Sequence, residues 1–205
     1  MAEHFEDAVQ AALGRDIEQL AAVSGPTHIY LSPSHRLSDR FELYRRAFAA
    51  LKVPDMFVPL ELPPLNGAPD VDGLRGLMEL FRSSPSLQSL VISGPFQRLI
   101  TPLLDRVEVR AQEIGFVNIV RKRGSEVVGD NLDGEAFLLG VQNDLGLSFH
   151  KKSAVFFGCG AISTAVAMQL ASGLTKVALV DTQFDRAQIL AEKLRAKNPR
   201  LKLFL

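Results

Sequence analysis

Apolar positions follow two periods along the chain, and their alternation outlines the fold. Phe5, Val9, Ala12, Leu13, Ile17 and Leu20 recur at helical spacing over residues 5–22. "THIYLS" (27–32) is a short β-type run, and "SPSHRLSD" after it is rich in turn formers. Asp39 followed by Glu42 is a helix-start signature, with Phe41, Tyr44, Phe48 and Leu51 on one side of the helix it opens. "MFVPLEL" (56–62) reads as a strand whose Pro59 cannot donate to a ladder, which places it at a sheet edge. "PPLNGAPDVDG" is a loop by composition, "LRGLMELFR" (74–82) a helix and "LQSLVIS" (87–93) a strand. "FVNIVRK" and "EVVGD" flank a turn at Arg123-Gly124-Ser125, and "DGEAFLLGVQNDLG" is a helix ending near Gly146. The rest alternates: strand 153–158, glycine bend, helix to about residue 172, strand 176–181, helix 185–197, strand 201–205. Strands alternating with helices predict an α/β fold with largely parallel pairing.

Composition narrows the function. Of 205 residues, 47% are apolar and 22% charged, as in a folded, core-bearing protein. The formal net charge is zero, so no global field favours nucleic acid or an anionic membrane as partner. The single cysteine, Cys159, excludes a disulfide framework or thiolate zinc site within one chain, and His4, His28, His35 and His150 lack metal-ligand spacing. No metal is expected. The acidic "MAEHFEDAVQ" start lacks the build of a signal peptide, and no run reaches the roughly 18 apolar residues of a membrane span. A reducing cytoplasm is the expected location.

The sharpest local signal is "FFGCGAISTA" (156–165). Gly158, Gly160 and Ser163 form G-x-G-x-x-S between a strand and a helix, the bend on which a dinucleotide's pyrophosphate rests. The first glycine permits the tight turn, and the second lets backbone N–H groups approach. The helix start at Ala161 and Ile162 adds oriented donors and partial positive charge. Asp181 closes the next strand 23 residues after Gly158, near the roughly 20 expected before the acid that binds the adenosine ribose. An acid there pairs with both ribose hydroxyls and repels a 2′-phosphate. With Thr182 and Gln183 next to it and no arginine, the expected cofactor is NAD rather than NADP.

Six stretches in order along residues 35–194, "HRLSD", "ISGPFQRLITPLLD", "IGFVNIV", "GDNLDGEAF", "FFGCGAIS" and "VDTQFDRAQILAEKL", resemble the shikimate and quinate dehydrogenase family. The wording of "PFQ" and "VDTQFDRAQ" is nearest its NAD-preferring branch. The resemblance implies an N-terminal α/β substrate domain, residues 1–131, and a Rossmann-like dinucleotide domain from 132 to 205, of which only the N-terminal half is present. It implies reversible hydride transfer between a nicotinamide and the ring carbon of a cyclic hydroxy acid, in the cleft between them. Family roles fall on Asp133 in "NLDG" for proton handling and on Asn118, Ser38 and Ser93 for substrate. The Asp133 carboxylate would face a nucleotide seated over residues 158–160.

The departures are as informative. Gln97 stands where the family carries its catalytic lysine, and an amide does not titrate near neutral pH. It can still hydrogen-bond a hydroxyl. Arg36 replaces a serine of the S-L-S motif, Val91 an asparagine and Leu132 a threonine. A pocket that loses small polar partners discriminates poorly for a triol, while Arg36 can grip a carboxylate bidentately. The expected partner is therefore a small organic acid less hydroxylated than shikimate, with a homodimer compatible. Plain structural readings stand beside these: Asp133 as a helix cap, Asn118 satisfying backbone, Arg36 as a surface charge. Two functions follow, an NAD-dependent oxidoreductase with an altered substrate site, or a catalytically impaired relative that binds a small acid or dinucleotide as a sensor.

Overall fold

The computed structural model of the protein describes residues 25–33 and 39–205. The helix expected over 5–22, Arg36 and Ser38 lie outside the described residues. The remainder divides into two compact units. The first holds the described residues through Val107 together with Val117–Asp130, and the second holds Glu108–Phe116 and Asn131–Leu205.

The first unit is built on a six-stranded mixed sheet in the order β2-β1-β3-β5-β6-β4. Its strands are β1 (Thr27–Ser32), β2 (Met56–Glu61), β3 (Leu87–Ile92), β4 (Arg106–Val107), β5 (Ile119–Arg123) and β6 (Glu126–Asp130). β1 pairs in parallel with β2 and β3, whereas β5 runs antiparallel to both β3 and β6. Pro59 does sit in an edge strand, where its missing N–H costs no ladder bond. β5 and β6 join through a two-residue turn in which Gly124 takes φ +62°, a conformation that glycine adopts without strain.

Helix α1 (Asp39–Ala50) lays Phe41, Tyr44 and Phe48 around Phe57 of β2, with ring centroids 5.1–5.5 Å apart. Leu51, expected on the same side, falls just past the helix end and is 75% exposed. Glu42 binds Arg45 and Arg46 one turn on, and those two guanidinium groups hold its carboxyl down at about 2. Helix α2 (Val71–Ser83) starts three residues earlier than its apolar period suggests. The Asp70 carboxylate accepts from the Gly73 N–H at 2.8 Å, so the Asp- and Gly-rich stretch that looks like loop is its cap and first turn. Leu74, Leu77, Met78 and Phe81 form its buried face.

Between β3 and β5 lie two short helices that apolar spacing does not announce, α3 (Phe96–Leu99) and α4 (Val109–Ile114), with a 3₁₀ turn at Thr101–Leu103. Six residues or fewer show no period. α4 belongs to the second unit: its Ile114 enters that unit's core, and the Glu113 carbonyl accepts from Lys193 at 2.7 Å.

The second unit carries α5 (Asp133–Leu145), β7 (Lys152–Phe157), α6 (Ala161–Leu170), β8 (Leu174–Val180), α7 (Phe184–Lys197) and β9 (Lys202–Phe204). Its sheet is all parallel in the order β7-β8-β9, one wing of a doubly wound layer. α5 ends at Gly146 in the left-handed region, as the sequence indicates. Val177 and Leu179 of β8 join Ala165, Ala167, Leu190 and Leu194 in the core. Among the described residues, no helix is long and apolar enough to cross a membrane.

Candidate functional site

The glycine bend joins β7 to α6. Gly158 takes φ +87°, which an L side chain rarely tolerates, and its N–H is held by the Val180 carbonyl at 2.7 Å. Gly160 begins α6 in extended backbone with no side-chain cap on the first turn. A Cβ placed on Gly160 would meet nothing within 4 Å, so the space beside Gly160 at the start of α6 is open. The first helical N–H groups therefore face room for an anion.

Asp181 braces this bend from the next strand. Its carboxylate accepts from the Cys159 N–H at 2.7 Å and from the Gln183 N–H at 2.8 Å. Those two bonds, Cys159's first, hold the carboxyl below the usual range, and the charge of Arg186 adds to them. Each oxygen keeps a lone pair for a hydroxyl donor. The Cys159 thiol is buried, which with the Asp181 charge pushes it upward. It packs in the core, an environment that disfavours the thiolate.

Asp133 is the first residue of α5, preceded by Leu132, which offers no capping side chain. Asn131 caps the helix start instead. Its Oδ1 accepts from the Asp133 N–H at 3.1 Å, and its amide donates to the Phe116 carbonyl at 3.0 Å. Asp133 Oδ2 is buried and has no hydrogen-bond partner. A buried carboxylate oxygen without a donor is costly, so it needs a donor from a water or a ligand. Among the sequence-predicted residues of this unit, Asp133 and the bend residues Gly158, Gly160, Ala161, Ile162 and Asp181 all fall within Asn131–Leu205.

Of the other predicted residues, the described ones, Ser93, Gln97 and Asn118, gather in the first unit at the carboxyl end of β3. Ser93 follows the strand, and its N–H reaches the Leu31 carbonyl at 3.0 Å. The backbone carbonyl of Asn118, a buried residue, accepts from the Ile92 N–H at 2.8 Å. Gln97 is 5% exposed, and its Nε2 donates to the Ile92 carbonyl at 3.0 Å. Its amide thus ties α3 to β3. Carboxyl ends of parallel strands are where α/β layers hold ligands. Val91, at the family's asparagine, is buried against Tyr30, Phe41 and Phe57.

Asn131 was legible only as part of a motif. Its signal is an amide side chain two residues before a helix whose own cap position is apolar. Two other features carry no chemistry. A cavity of about 240 Å³ lies between α4, α5 and α6, and its charges are already paired as Arg110–Glu135 and Lys197–Glu113. Asp55, His28 and Ser89 form a hydrogen-bonded chain, with His28 Nε2 3.0 Å from Asp55 and Nδ1 2.6 Å from Ser89. Ser89 sits in a strand paired on both sides. Backbone N–H groups beside it are engaged in the ladder, so no oxyanion hole converges there.

Comparison with known proteins relates the chain to a family. No protein-family model matches the chain. It is 30% identical over 159 residues to a shikimate dehydrogenase (NADP(+)) of Symbiobacterium thermophilum, covering 77% of this chain and 51% of that protein. Among solved structures, a shikimate dehydrogenase in complex with NADP+ superposes with a TM-score of 0.74 at 19% identity, covering 89% of this chain and 62% of the other. A quinate dehydrogenase from Corynebacterium glutamicum in complex with NAD gives 0.72 at 22% identity, covering 87% and 64%. The chain spans about half the length of the curated relatives it matches. Sequence and fold agree: the chain is a divergent member of the shikimate/quinate dehydrogenase family.

Proposed function

We propose that the chain serves an NAD-dependent oxidoreductase that interconverts a cyclic hydroxy acid and its ketone, with a substrate pocket altered from that of its relatives. The observation that carries this reading is the buried, partnerless Asp133 Oδ2 at a helix start. It calls for a donor, and a substrate hydroxyl is one. The residues of the bend fit a dinucleotide: Gly158 makes the turn, Gly160 leaves space for a phosphate, and the α6 N-terminus offers donors. Bound there, the nicotinamide supplies the hydride acceptor. Asp181 receives the ribose hydroxyls and disfavours a 2′-phosphate, which supports NAD over the NADP used by several relatives. Asp133 accepts the hydroxyl proton, and Asn118 and Ser93 orient the ring.

The pocket favours an organic acid with fewer hydroxyls than shikimate. Val91 is packed into an aromatic cluster where the family has an amide, and Gln97 directs its N–H to a carbonyl of its own chain. That second observation also supports the rival reading, a relative that binds its acid or dinucleotide without turning it over. Gln97 is an amide and moves no proton, which leaves Asp133 as the titratable group assigned to the acid among the described residues.

Calorimetry with NAD and NADP, followed by assay of NAD reduction with shikimate and quinate in wild type and Gln97→Lys, tests both. NAD is expected to bind at least about tenfold more tightly than NADP, the discrimination that one unfavourable charge contact gives. Turnover of either acid should be slow in wild type and faster in the lysine variant. NADP binding more tightly than NAD would overturn the role of Asp181. Dinucleotide binding without turnover of these acids, or of less hydroxylated cyclic acids, in either protein would decide for the binding module.

A further inference from the structure

We propose that Asn131 is a positioning residue that fixes the direction of the Asp133 carboxylate. The inference rests on the reading of Asp133 as the group that meets substrate. It goes beyond that reading by assigning what aims the carboxylate.

Asn131 is 2% exposed and lies in the two-residue link between β6 and α5. Both ends of its amide are engaged, one on the Phe116 carbonyl and one on the Asp133 N–H. The carbonyl can only accept and the N–H can only donate, so the orientation of the amide is fixed by its partners. Among side chains of this size, only a neutral amide offers a donor and an acceptor in one plane. An aspartate would turn an oxygen toward the Phe116 carbonyl and add negative charge beside Asp133.

The helix start cannot shift to compensate. A Cβ on Gly134 would lie 2.4 Å from the Ala165 carbonyl oxygen and 2.8 Å from Gln169 Cβ, so α5 crosses α6 at closest approach there. Leu132 provides no cap of its own. The Asp133 backbone is therefore held by Asn131 on one side and by the α6 crossing on the other. Its carboxylate, free of partners at Oδ2, is presented by that frame and not by bonds of its own.

The test uses the intact chain, isotopically labelled, as wild type, Asn131→Asp and Asn131→Ser. Three-bond couplings report the χ1 rotamer of Asp133, and hydrogen exchange reports its N–H. Wild type should show one rotamer and a protected amide. Asn131→Asp loses the donor to Phe116, and repulsion from that carbonyl turns the side chain away from the Asp133 N–H. It should therefore average the couplings and speed exchange at Asp133 by about tenfold or more. Amides of β7 and α6 should keep their protection. Asn131→Ser, which keeps an oxygen for the Asp133 N–H and loses the donor to Phe116, should lie between the two. Averaged couplings in wild type, or unchanged couplings in both variants, would overturn the proposal. If Asn131→Asp unfolds, the serine variant decides by the same couplings. Calorimetry with shikimate and quinate separates the two levels. A wild type that binds neither these acids nor less hydroxylated cyclic acids, while its variants lose the single rotamer, sinks the functional reading and leaves Asn131 as the residue that aims Asp133.

Discussion

Asp181 and Cys159 form a coupled pair at the bend. The carboxylate accepts the Cys159 N–H while its charge discourages the thiolate. Asp181 titrates lower folded than unfolded, so its contribution is complete above the unfolded carboxyl value of about 4 and fades as pH falls through the lower folded value. In Asp181→Asn one of the two backbone N–H groups faces an amide NH₂ instead of an oxygen. Urea midpoints should therefore favour wild type at pH 6, and the gap should narrow as pH falls below about 4; a gap unchanged with pH would contradict the brace. The same substitution removes the charge beside Cys159. Its reaction with a disulfide reagent at pH 8 should be slow in wild type and faster in Asp181→Asn, though still slower than a free thiol because burial is the larger cause. At this scale the sequence was informative where backbone chemistry dictates residue type, as at Gly158. Gln97 was not legible in the same way: motif alignment gives its place opposite a lysine, but only packing shows its amide turned to Ile92.

Elements long enough to repeat their apolar period stood out in the sequence. β1, β3 and the β5–β6 hairpin fall where alternation and turn residues put them, and α5 and α7 where helical spacing does. Short ones were silent. α4 owes its existence to contacts made far along the chain, Ile114 in the core and Lys193 on the Glu113 carbonyl, which no local pattern encodes. The second sheet separates its two faces by strict alternation. Ala154, Phe156, Val177, Leu179 and Leu203 pack on α6 and α7, while Val155, Phe157 and Phe204 point the other way and are more than half exposed. Two substitutions check that division. Leu179→Ala removes a side chain 2% exposed and should cost about 2–5 kcal/mol. Phe157→Ser removes one that is 81% exposed and should change stability by less than about 0.5 kcal/mol. Chemical denaturation of both variants reads the difference, and a large loss in Phe157→Ser would mean that the outer face is covered.

Over the whole molecule, the residues assigned to the cofactor and those assigned to the acid are split between the units. Gly158, Gly160 and Asp181 lie within Asn131–Leu205, and Ser93, Gln97 and Asn118 belong to the unit that ends at Asp130. The chain passes from one to the other between Asp130 and Asn131, one step before the clamp on Asp133. The family's stretches, read in order, imply a substrate part followed by a dinucleotide part; the grouping of residues 108–116 with the second unit is visible only in three dimensions. A core confined to one unit gives ligand binding a local signature. NAD, if it binds only the folded second unit, stabilises that unit by mass action, by about 2.7 kcal/mol at a free concentration one hundred times its Kd. Exchange that proceeds through opening of that unit should then slow by about one hundredfold. The slowing should be found at the amides of β7, β8 and α6, whose core residues Val177, Leu179 and Ala165 are at most 2% exposed. Amides of β1 and β3 exchange through opening of the other unit and should respond less. Hydrogen exchange of the intact chain with and without NAD measures both sets at once. Equal slowing of both sets would show that the two units open together, and slowing confined to β1 and β3 would place the dinucleotide away from the glycine bend.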